Sequence, residues 1–424
     1  MIGIDTGNTA WVLLCATLVF FMTPGLALFY GGMARSKNVL GTIMQSFFLI
    51  GIISVEFILI GYTMIFGNDI GGMIGGLDKL GLVGTAQEVL DATNIPEMAF
   101  VTFQCMFAVL TPAIISGSVT GRMRFAPFVV FSVLWAILIY NPMAHWVWGG
   151  GFLAELGALD FAGGLVIHVL SGVSGLTLCI LLGRRRGYGR MPMLPHHLPM
   201  TILGASILWF GWFGFNAGSA LGVGDLAANA MLTTQIAAAI GIVGWVIAER
   251  LHRGKPTVLG AASGAIAGLV AITPAAGFVT PLASIPIGLI GAISCYVAVA
   301  ILKNKFGYDD SLDAFGIHGV GGTWGAIATG LWATTMVNPD GADGLFYGGG
   351  LLTPQCISLV VAIVFAVVGT FIIFKVISIV MDMRVTISAE SLGIDISEHG
   401  EGAYNQSEFK SSGRFITSDQ NSLV

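Results

Sequence analysis

Two histidines lie in stretches that are otherwise apolar or built from small residues. His168 falls in FAGGLVIHVLSGVSG (161–175), and His318 falls in AFGIHGVGGTWG (314–325). Ionisable side chains inside apolar membrane segments face the bundle interior or a transport pathway. We expect neutral rings, because an imidazolium is costly to bury, and a neutral ring presents one donor and one acceptor. Two adjacent rings could share a proton and still offer both groups to a small passing molecule.

A buried histidine can also be a packing residue or a metal ligand. The packing role stays open for either ring taken alone. A metal site needs a third nitrogen, sulfur or oxygen ligand, and neither histidine segment supplies one. The five cysteines lie in apolar runs without metal-ligand spacing, and we interpret them as small buried hydrophobic residues. We therefore expect no metal site, no cofactor and no catalytic constellation of an enzyme.

Aromatic residues are the second chemical feature, and they fall in three apolar segments. These segments are TFQCMFAVL (102–110), AHWVWGGG (144–151) and LWFGWFGFNAGSA (208–220), which ends with Ser219. Most such rings form interfacial belts or pack within the bundle. An aromatic cage with a hydroxyl would also suit a small cation, at roughly 0.5–2 kcal/mol for each cation–π contact. That energy recruits an ion from water but does not offset full desolvation of its charge.

The composition identifies the class of protein that must position these side chains. Of 424 residues, 55% are hydrophobic and 10% are charged, with mean hydropathy +0.87. Soluble domains are about a quarter charged, so we expect an all-α polytopic membrane protein in contact with the lipid bilayer. The 60 glycines fit close helix packing in a membrane. We exclude nucleic acid as a partner, because no basic run exceeds GRRRGYGR (183–190).

The apolar runs predict eleven transmembrane helices. No basic region precedes the first run, so we expect no cleavable signal peptide. Seventeen of the 18 basic residues fall in or beside alternate connections, or near the end of the last run and after it, and the exception is Lys79. By the positive-inside rule, the N-terminus is outside and the C-terminus is cytoplasmic. The runs are about 8–30, 38–66, 98–120, 125–148, 160–182, 198–220, 228–249, 257–276, 284–303, 313–334 and 353–380.

The two histidine segments also indicate an internal repeat. DFAGGLVIH (160–168) and DSLDAFGIH (310–318) each begin with an aspartate eight residues before the histidine. The segments lie in the fifth and tenth predicted spans, so two five-helix halves (about 8–182 and 198–334) would have inverted topology. A functional site then lies near the midplane between the halves. A last helix (about 353–380) completes the membrane domain (1–380), and a cytoplasmic tail (381–424) follows. We expect Asp160 and Asp310 to cap helices or tie loops.

With these motifs the sequence resembles the ammonium transporters, the Amt/Mep/Rh family, over all predicted spans and the start of the tail. The resemblance implies ammonium transport across the plasma (inner) membrane, methylammonium as an analogue, and a homotrimer with one pore per subunit. It also implies that the tail can bind a PII-type regulatory protein. The matching stretches are TPGLALFYGG (23–32), AHWVWGGG (144–151), the 160–175 motif with GRRR (183–186), GWFGFNAGSA (211–220), GAIAGLVAITPAAG (264–277), DAFGIHGVGG (313–322) and HGEGAY (399–404).

The resemblance assigns a role to each candidate site residue. Ammonium would be recruited from outside, deprotonated and passed as NH3 through a hydrophobic pore. Electrogenic and neutral transport both stay open. The implied roles are an outer recruitment site of Trp148, Phe107 and Ser219 with Phe103 close by; a gate of Phe107 and Phe215; a pore with His168, His318 and Trp212; and a buried structural acid, Asp160.

Two departures and one alternative function accompany the resemblance. Cys105 and Met106 stand where relatives often have smaller residues, which could alter gating. Glu56 lies in the middle of the second span, and we expect it to face a subunit interface or a polar neighbour, with a role in tuning conduction as the alternative. Some family members are ammonium sensors fused to a signalling domain. The polar end of the chain (about the last 20 residues) resembles a disordered end or linker, so the sensor module is our alternative.

Overall fold

The structure is a computed structural model that describes residues 3–90 and 92–404. Nine helices in this part of the chain are long and apolar enough to cross a membrane. They are α1 (Thr6–Met33), α2 (Val39–Phe66), α3 (Glu97–Val119), α4 (Phe125–Glu155, which breaks at 149–151), α5 (Gly164–Leu182), α6 (Leu198–Gly218), α7 (Asp225–Arg253), α9 (Pro281–Phe306) and α11 (Leu352–Val380).

Two shorter helices lie where the other two spans were expected. They are α8 (Val258–Ile272) and α10, which begins as Phe315–Gly319 and continues as Val320–Trp332. A mostly helical protein with several apolar spans is therefore confirmed. Nine helices meet the length and hydropathy required within the described residues, so eleven crossings and their orientation stay a proposal.

Five segments inside these helices are π-helical. Such turns are rare, and they occur mostly as single-turn bulges that are frequent at functional sites. Two of the five contain His168 and His318, and a further two lie in α4 and α9. The segments are Phe57–Gly61, Ala136–Tyr140, Gly164–Val169, Ala298–Leu302 and Phe315–Gly319.

The connections between helices gather at two ends of the bundle. We name the end with 34–38, 120–124, 183–197, 254–257 and 307–314 the basic end, and the other the acidic end. The acidic end carries two small antiparallel hairpins in the long α2–α3 connection, each of two short strands. They are β1 (Asp69–Ile70) with β2 (Ile74–Gly75), and β3 (Val89–Leu90) with β4 (Ile95–Pro96). Leu80–Leu82, Thr85–Gln87 and Leu345–Tyr347 form single 3₁₀ turns at this end.

The first part of the expected tail packs against the basic end. It contains two short helices, α12 (Ile387–Leu392) and α13 (Ile394–His399). Asp395 accepts hydrogen bonds from the backbone of Val39 and Gly41, at 3.0 and 2.8 Å. Arg384 donates to the carbonyl oxygens of Leu182 and Arg184. The tail therefore bonds to the start of α2, to the end of α5 and to the connection that follows α5, whereas the expected linker after residue 404 lies outside the described residues.

A buried ion cluster joins three connections at the basic end. Asp309 accepts from Arg185 at 2.6 Å, and the fully buried Arg122 donates to the Asp309 carbonyl at 2.7 Å. Burial alone would raise the pKa of Asp309. The bonds from Arg185 and the neighbouring charge of Arg122 outweigh burial and hold that pKa below its ordinary value. The carboxylate therefore holds the two buried cations in place.

Asp309→Asn is expected to lose about 3–5 kcal/mol of stability, because it leaves buried arginines without a counter-charge. The contribution of a carboxylate with a depressed pKa is present above its unfolded-state pKa and is lost as the pH falls through the folded-state value. The difference in thermal midpoint between wild type and variant should therefore narrow below about pH 4. Asp382→Asn is the control, since its ion pair with Arg124 is exposed. Equal midpoints for all three proteins at neutral pH would contradict this role.

Candidate functional site

The site forms where α5 and α10 cross near their first turns. A Cβ on Gly172 would collide with the backbone of Gly319, and a Cβ on Gly322 would lie 2.8 Å from the carbonyl oxygen of Gly164. Residues that advance along α5 thus meet residues that recede along α10, so the two helices are antiparallel here. Gly172 stands four residues after His168, and Gly322 stands four residues after His318. The glycines therefore allow the two histidine turns to touch.

The two histidines form a directly bonded pair inside the bundle. Their Nδ1 atoms lie 3.1 Å apart, and the rings stack at 5.2 Å with 27° between their planes. A 3.1 Å bond between two ring nitrogens requires one ring to donate and the other to accept. Both rings are buried, and the Nε2 atom of His168 has no hydrogen-bond partner. A buried polar atom without a partner is rare and suggests a ligand or water.

An aspartate fixes the start of each histidine turn. Asp160 accepts from the backbone N–H groups of Gly163, Gly164, Leu165 and Val166, at 2.6–3.1 Å. Asp310 makes the corresponding bonds to three N–H groups at the start of α10. The first N–H groups of a helix have no partner within the helix, so each carboxylate caps donors that would otherwise be unpaired.

Aromatic rings cover the histidine pair on one side. His168 stacks on Trp212 with ring centres 5.4 Å apart and on Phe215 with centres 6.0 Å apart. Phe215 in turn contacts Phe107 at 4.5 Å. Trp212 is held by a 2.9 Å hydrogen bond from its Nε1 to Oγ1 of Thr273. The structure therefore places Phe107 and Phe215 between the histidines and the acidic end.

A cavity of about 310 Å³ opens at the acidic end, directly beyond the phenylalanine pair. We call it the vestibule. Ser219 donates its hydroxyl to the carbonyl oxygen of Phe215 at 2.9 Å, which leaves the hydroxyl lone pairs free to accept. Trp148 donates from Nε1 to the carbonyl oxygen of Asp160 at 2.8 Å. The vestibule is lined by Phe66, Phe100, Gln104, Phe107, Val147, Trp148, Phe161, Ala162, Ser219 and Leu221.

The vestibule differs in detail from the site expected from sequence. Phe103 is fully buried and packs edge-on against Phe107 at 4.7 Å, and it does not line the vestibule. Gln104, which sequence reasoning missed, is a lining residue. Its polarity within an apolar run was a signal that could have identified it. Phe66, Phe100 and Phe161 carried no such signal, because they belong to long apolar runs or connections.

Glu56 has a buried polar partner on a neighbouring helix. Asn141 donates from Nδ2 to Oε1 of Glu56 at 2.8 Å, and Glu56 is 6% exposed. Each residue stands beside a π-helical segment, at 57–61 and 136–140. This contact is the polar neighbour that the sequence suggested.

In the part of the chain that the structure describes, no group of three or more His, Cys, Asp or Glu side chains could hold a metal ion.

Comparisons with known proteins identify the family of this chain. The model of the Ammonium Transporter Family matches residues 10–404. An ammonium transporter of Bacillus subtilis (strain 168) is 56% identical over 405 residues, covering 95% of this chain and 99% of that protein. The crystal structure of Saccharomyces cerevisiae Mep2 superposes with a TM-score of 0.86 at 34% identity, covering 95% of this chain and 92% of that one. A structure titled Sensor Amt Protein reaches 0.85 at 29% identity, covering 93% and 98%. The chain is thus a member of the ammonium transporter family.

Proposed function

We propose that this chain carries ammonium across the plasma membrane as a homotrimer with one pore in each subunit. The basic end faces the cytoplasm, because 15 of the 16 basic residues that the structure describes lie at or near that end. The acidic end and its vestibule then face outside. Eleven crossings and two inverted five-helix repeats fit this orientation, and the matching aspartate caps, π turns and glycines of α5 and α10 support the repeat.

Recruitment takes place in the vestibule. The rings of Trp148 and Phe107 attract a small cation through their faces, worth roughly 0.5–2 kcal/mol each. The hydroxyl of Ser219 accepts a hydrogen bond from the ion, since its own proton is used on Phe215. Cation–π attraction alone does not distinguish ammonium from potassium, so discrimination must come from the next step.

Discrimination follows from the apolar path beyond Phe107 and Phe215. A monovalent ion that enters loses its hydration without compensation, which excludes potassium. Ammonium can give up a proton in or below the vestibule and continue as neutral NH3. The phenylalanine pair must move to admit it, because the two rings lie in contact. The proton follows along the histidines or returns to the outside, and these alternatives give electrogenic and neutral transport.

The histidine pair receives NH3 in the lumen. The ring that donates at Nδ1 has an accepting Nε2, and its partner has a donating Nε2. The pair therefore presents one donor and one acceptor whichever ring carries the shared proton. The unpartnered Nε2 of the buried His168 is the observation that carries this proposal. A molecule that both donates and accepts a hydrogen bond, such as NH3, can pair with these Nε2 atoms.

Uptake of methylammonium and ammonium-induced current in liposomes test this function. His168→Ala and His318→Ala are each expected to lower uptake at least tenfold, because each leaves one ring without its partner. His252→Ala is the control, since this histidine bonds to Tyr296 at the basic end, away from the pair. Wild-type rates in both pore variants would contradict the assigned role.

Failure of the wild-type protein to transport, with binding retained, would favour the sensor alternative. The similarity to the structure titled Sensor Amt Protein supports that alternative, since the fold is shared. The docked residues 381–404 are the surface on which we place a PII-type regulatory protein. In a transporter, such a partner should change the rate of uptake and leave the affinity of the vestibule unchanged.

A further inference from the structure

His145, near the outer end of α4, is buried between two hydrogen-bond acceptors. Its Nδ1 lies 2.7 Å from the carbonyl oxygen of Ile65, and its Nε2 lies 2.9 Å from Oδ1 of Asp69. The ring is fully buried, whereas the Asp69 side chain is 38% exposed. Neither the pore nor the vestibule lining includes His145.

The identity of the two acceptors determines the protonation of the ring. A carbonyl oxygen only accepts, and so does an ionised carboxylate. The bond from His145, with further bonds from the N–H of Gly72, lowers the pKa of Asp69 below its ordinary value. Asp69 is therefore ionised at neutral pH. Because both partners only accept, both nitrogens of His145 must donate, and the ring is an imidazolium.

The residues that follow His145 leave room for its bond to Ile65 and connect this histidine to the vestibule. A Cβ on Gly149 would lie 2.5 Å from Nδ1 of His145 and closer still to the Ile65 carbonyl oxygen, so only glycine leaves room there. The same segment is fixed by Trp146, whose Nε1 donates to Met73 at 2.7 Å. Trp148 stands directly before Gly149 and lines the vestibule.

We propose that His145 is a positioning residue for ammonium recruitment, a buried imidazolium that is balanced by Asp69 and holds the end of α4 that carries Trp148. This inference rests on the proposed function of the vestibule. If the Asp69 carboxylate is removed, the bond at Nε2 of His145 weakens. Trp148 is then held less firmly, and the vestibule binds the ammonium cation more weakly.

Other titratable groups occur on the elements that pack around His145. Tyr62 on α2 donates its hydroxyl to Glu97, and His168 on α5 is paired with His318. Glu155 lies beyond the break in α4. Asp69 is the charged group bonded to the ring, so its removal tests the inference most directly.

Uptake kinetics give the first test. At one neutral pH, the KM for methylammonium should be several-fold higher in Asp69→Asn than in wild type, because the carboxylate that accepts from Nε2 of His145 is gone. The kcat should stay near the wild-type value, since the histidine pair of the pore is unchanged. Glu155→Gln, which removes another carboxylate at the end of α4, should keep the wild-type KM. Equal KM values for wild type and Asp69→Asn would overturn the inference.

Nitrogen-15 NMR of histidine-labelled protein in lipid gives a second test that needs no transport. The chain has seven histidines, and His145→Asn assigns the relevant signal by its loss. We expect both ring nitrogens of His145 to be protonated at neutral pH in the wild type. A neutral ring there would overturn the inference, even if Asp69→Asn does not fold. A protonated ring in a protein without flux would instead contradict the proposed function alone.

Discussion

Gly172→Ala is expected to reduce ammonium uptake to less than a tenth of the wild-type rate. The new methyl group would meet the backbone nitrogen and Cα of Gly319, and backbone atoms cannot rotate away as a side chain can. α5 and α10 must therefore separate, which lengthens the 3.1 Å bond between the histidines. Overpacking of a core typically costs about 1–3 kcal/mol, and a backbone collision belongs at the upper end. Uptake in liposomes and the thermal unfolding midpoint in detergent measure both effects.

The matched control for this change is Gly51→Ala in α2. A Cβ at Gly51 meets nothing within 4 Å, so the same substitution in another membrane helix adds no collision. Alanine is also the better helix former, so this variant should be at least as stable as wild type. Normal transport by Gly172→Ala would show that α5 and α10 do not touch as described.

Asp160→Ala is expected to abolish transport and to destabilise the protein by several kcal/mol. The carboxylate accepts from four backbone N–H groups, and each buried donor left unpaired costs about 1–3 kcal/mol before relaxation. The π turn that carries His168 would lose its cap. The carbonyl of Asp160 also holds Trp148. One substitution therefore disturbs both the histidine pair and the vestibule.

Two further variants show whether this effect depends on the carboxylate. Asp160→Asn keeps one accepting oxygen, so its uptake and thermal midpoint should fall between those of wild type and Asp160→Ala. Asp225→Asn is the control, because this exposed acid begins α7 at the same end of the bundle. If Asp160→Asn and Asp225→Asn lost uptake and thermal stability equally, the effect would come from the loss of negative charge and not from the loss of a helix cap.

Much of the fold could be predicted because helices that cross a membrane require long apolar runs, which are easy to recognise in a sequence. The last predicted span, about 353–380, agrees closely with Leu352–Val380. The prediction for α5 began at 160, whereas the helix begins at Gly164, since Asp160 accepts bonds from outside the helix. The hairpins of the α2–α3 connection were not predicted. Strands of two residues are too short for any alternation of polar and apolar residues to be recognised.

The candidate site was predicted by residue type but not by contact. Equal spacing from aspartate to histidine in two spans pointed to a pair, which the structure brings together. The π turns left no pattern in the sequence, because one extra residue per turn does not change which residues are apolar. The bonds of His145 were also missed. They join residues 76 and 80 positions apart, and local periodicity does not report on such distances.

The π turns mean that helix register determines the position of each imidazole. A π turn holds about one residue more than an α turn, and one residue rotates an α-helix by about 100°. His168 and His318 both lie within such a turn, so both rings owe their direction to one surplus residue. A variant that keeps both histidines but loses the extra residue of one π turn would therefore turn that imidazole away from its partner. Insertions and deletions in these turns therefore matter to this protein as much as substitutions of the histidines themselves.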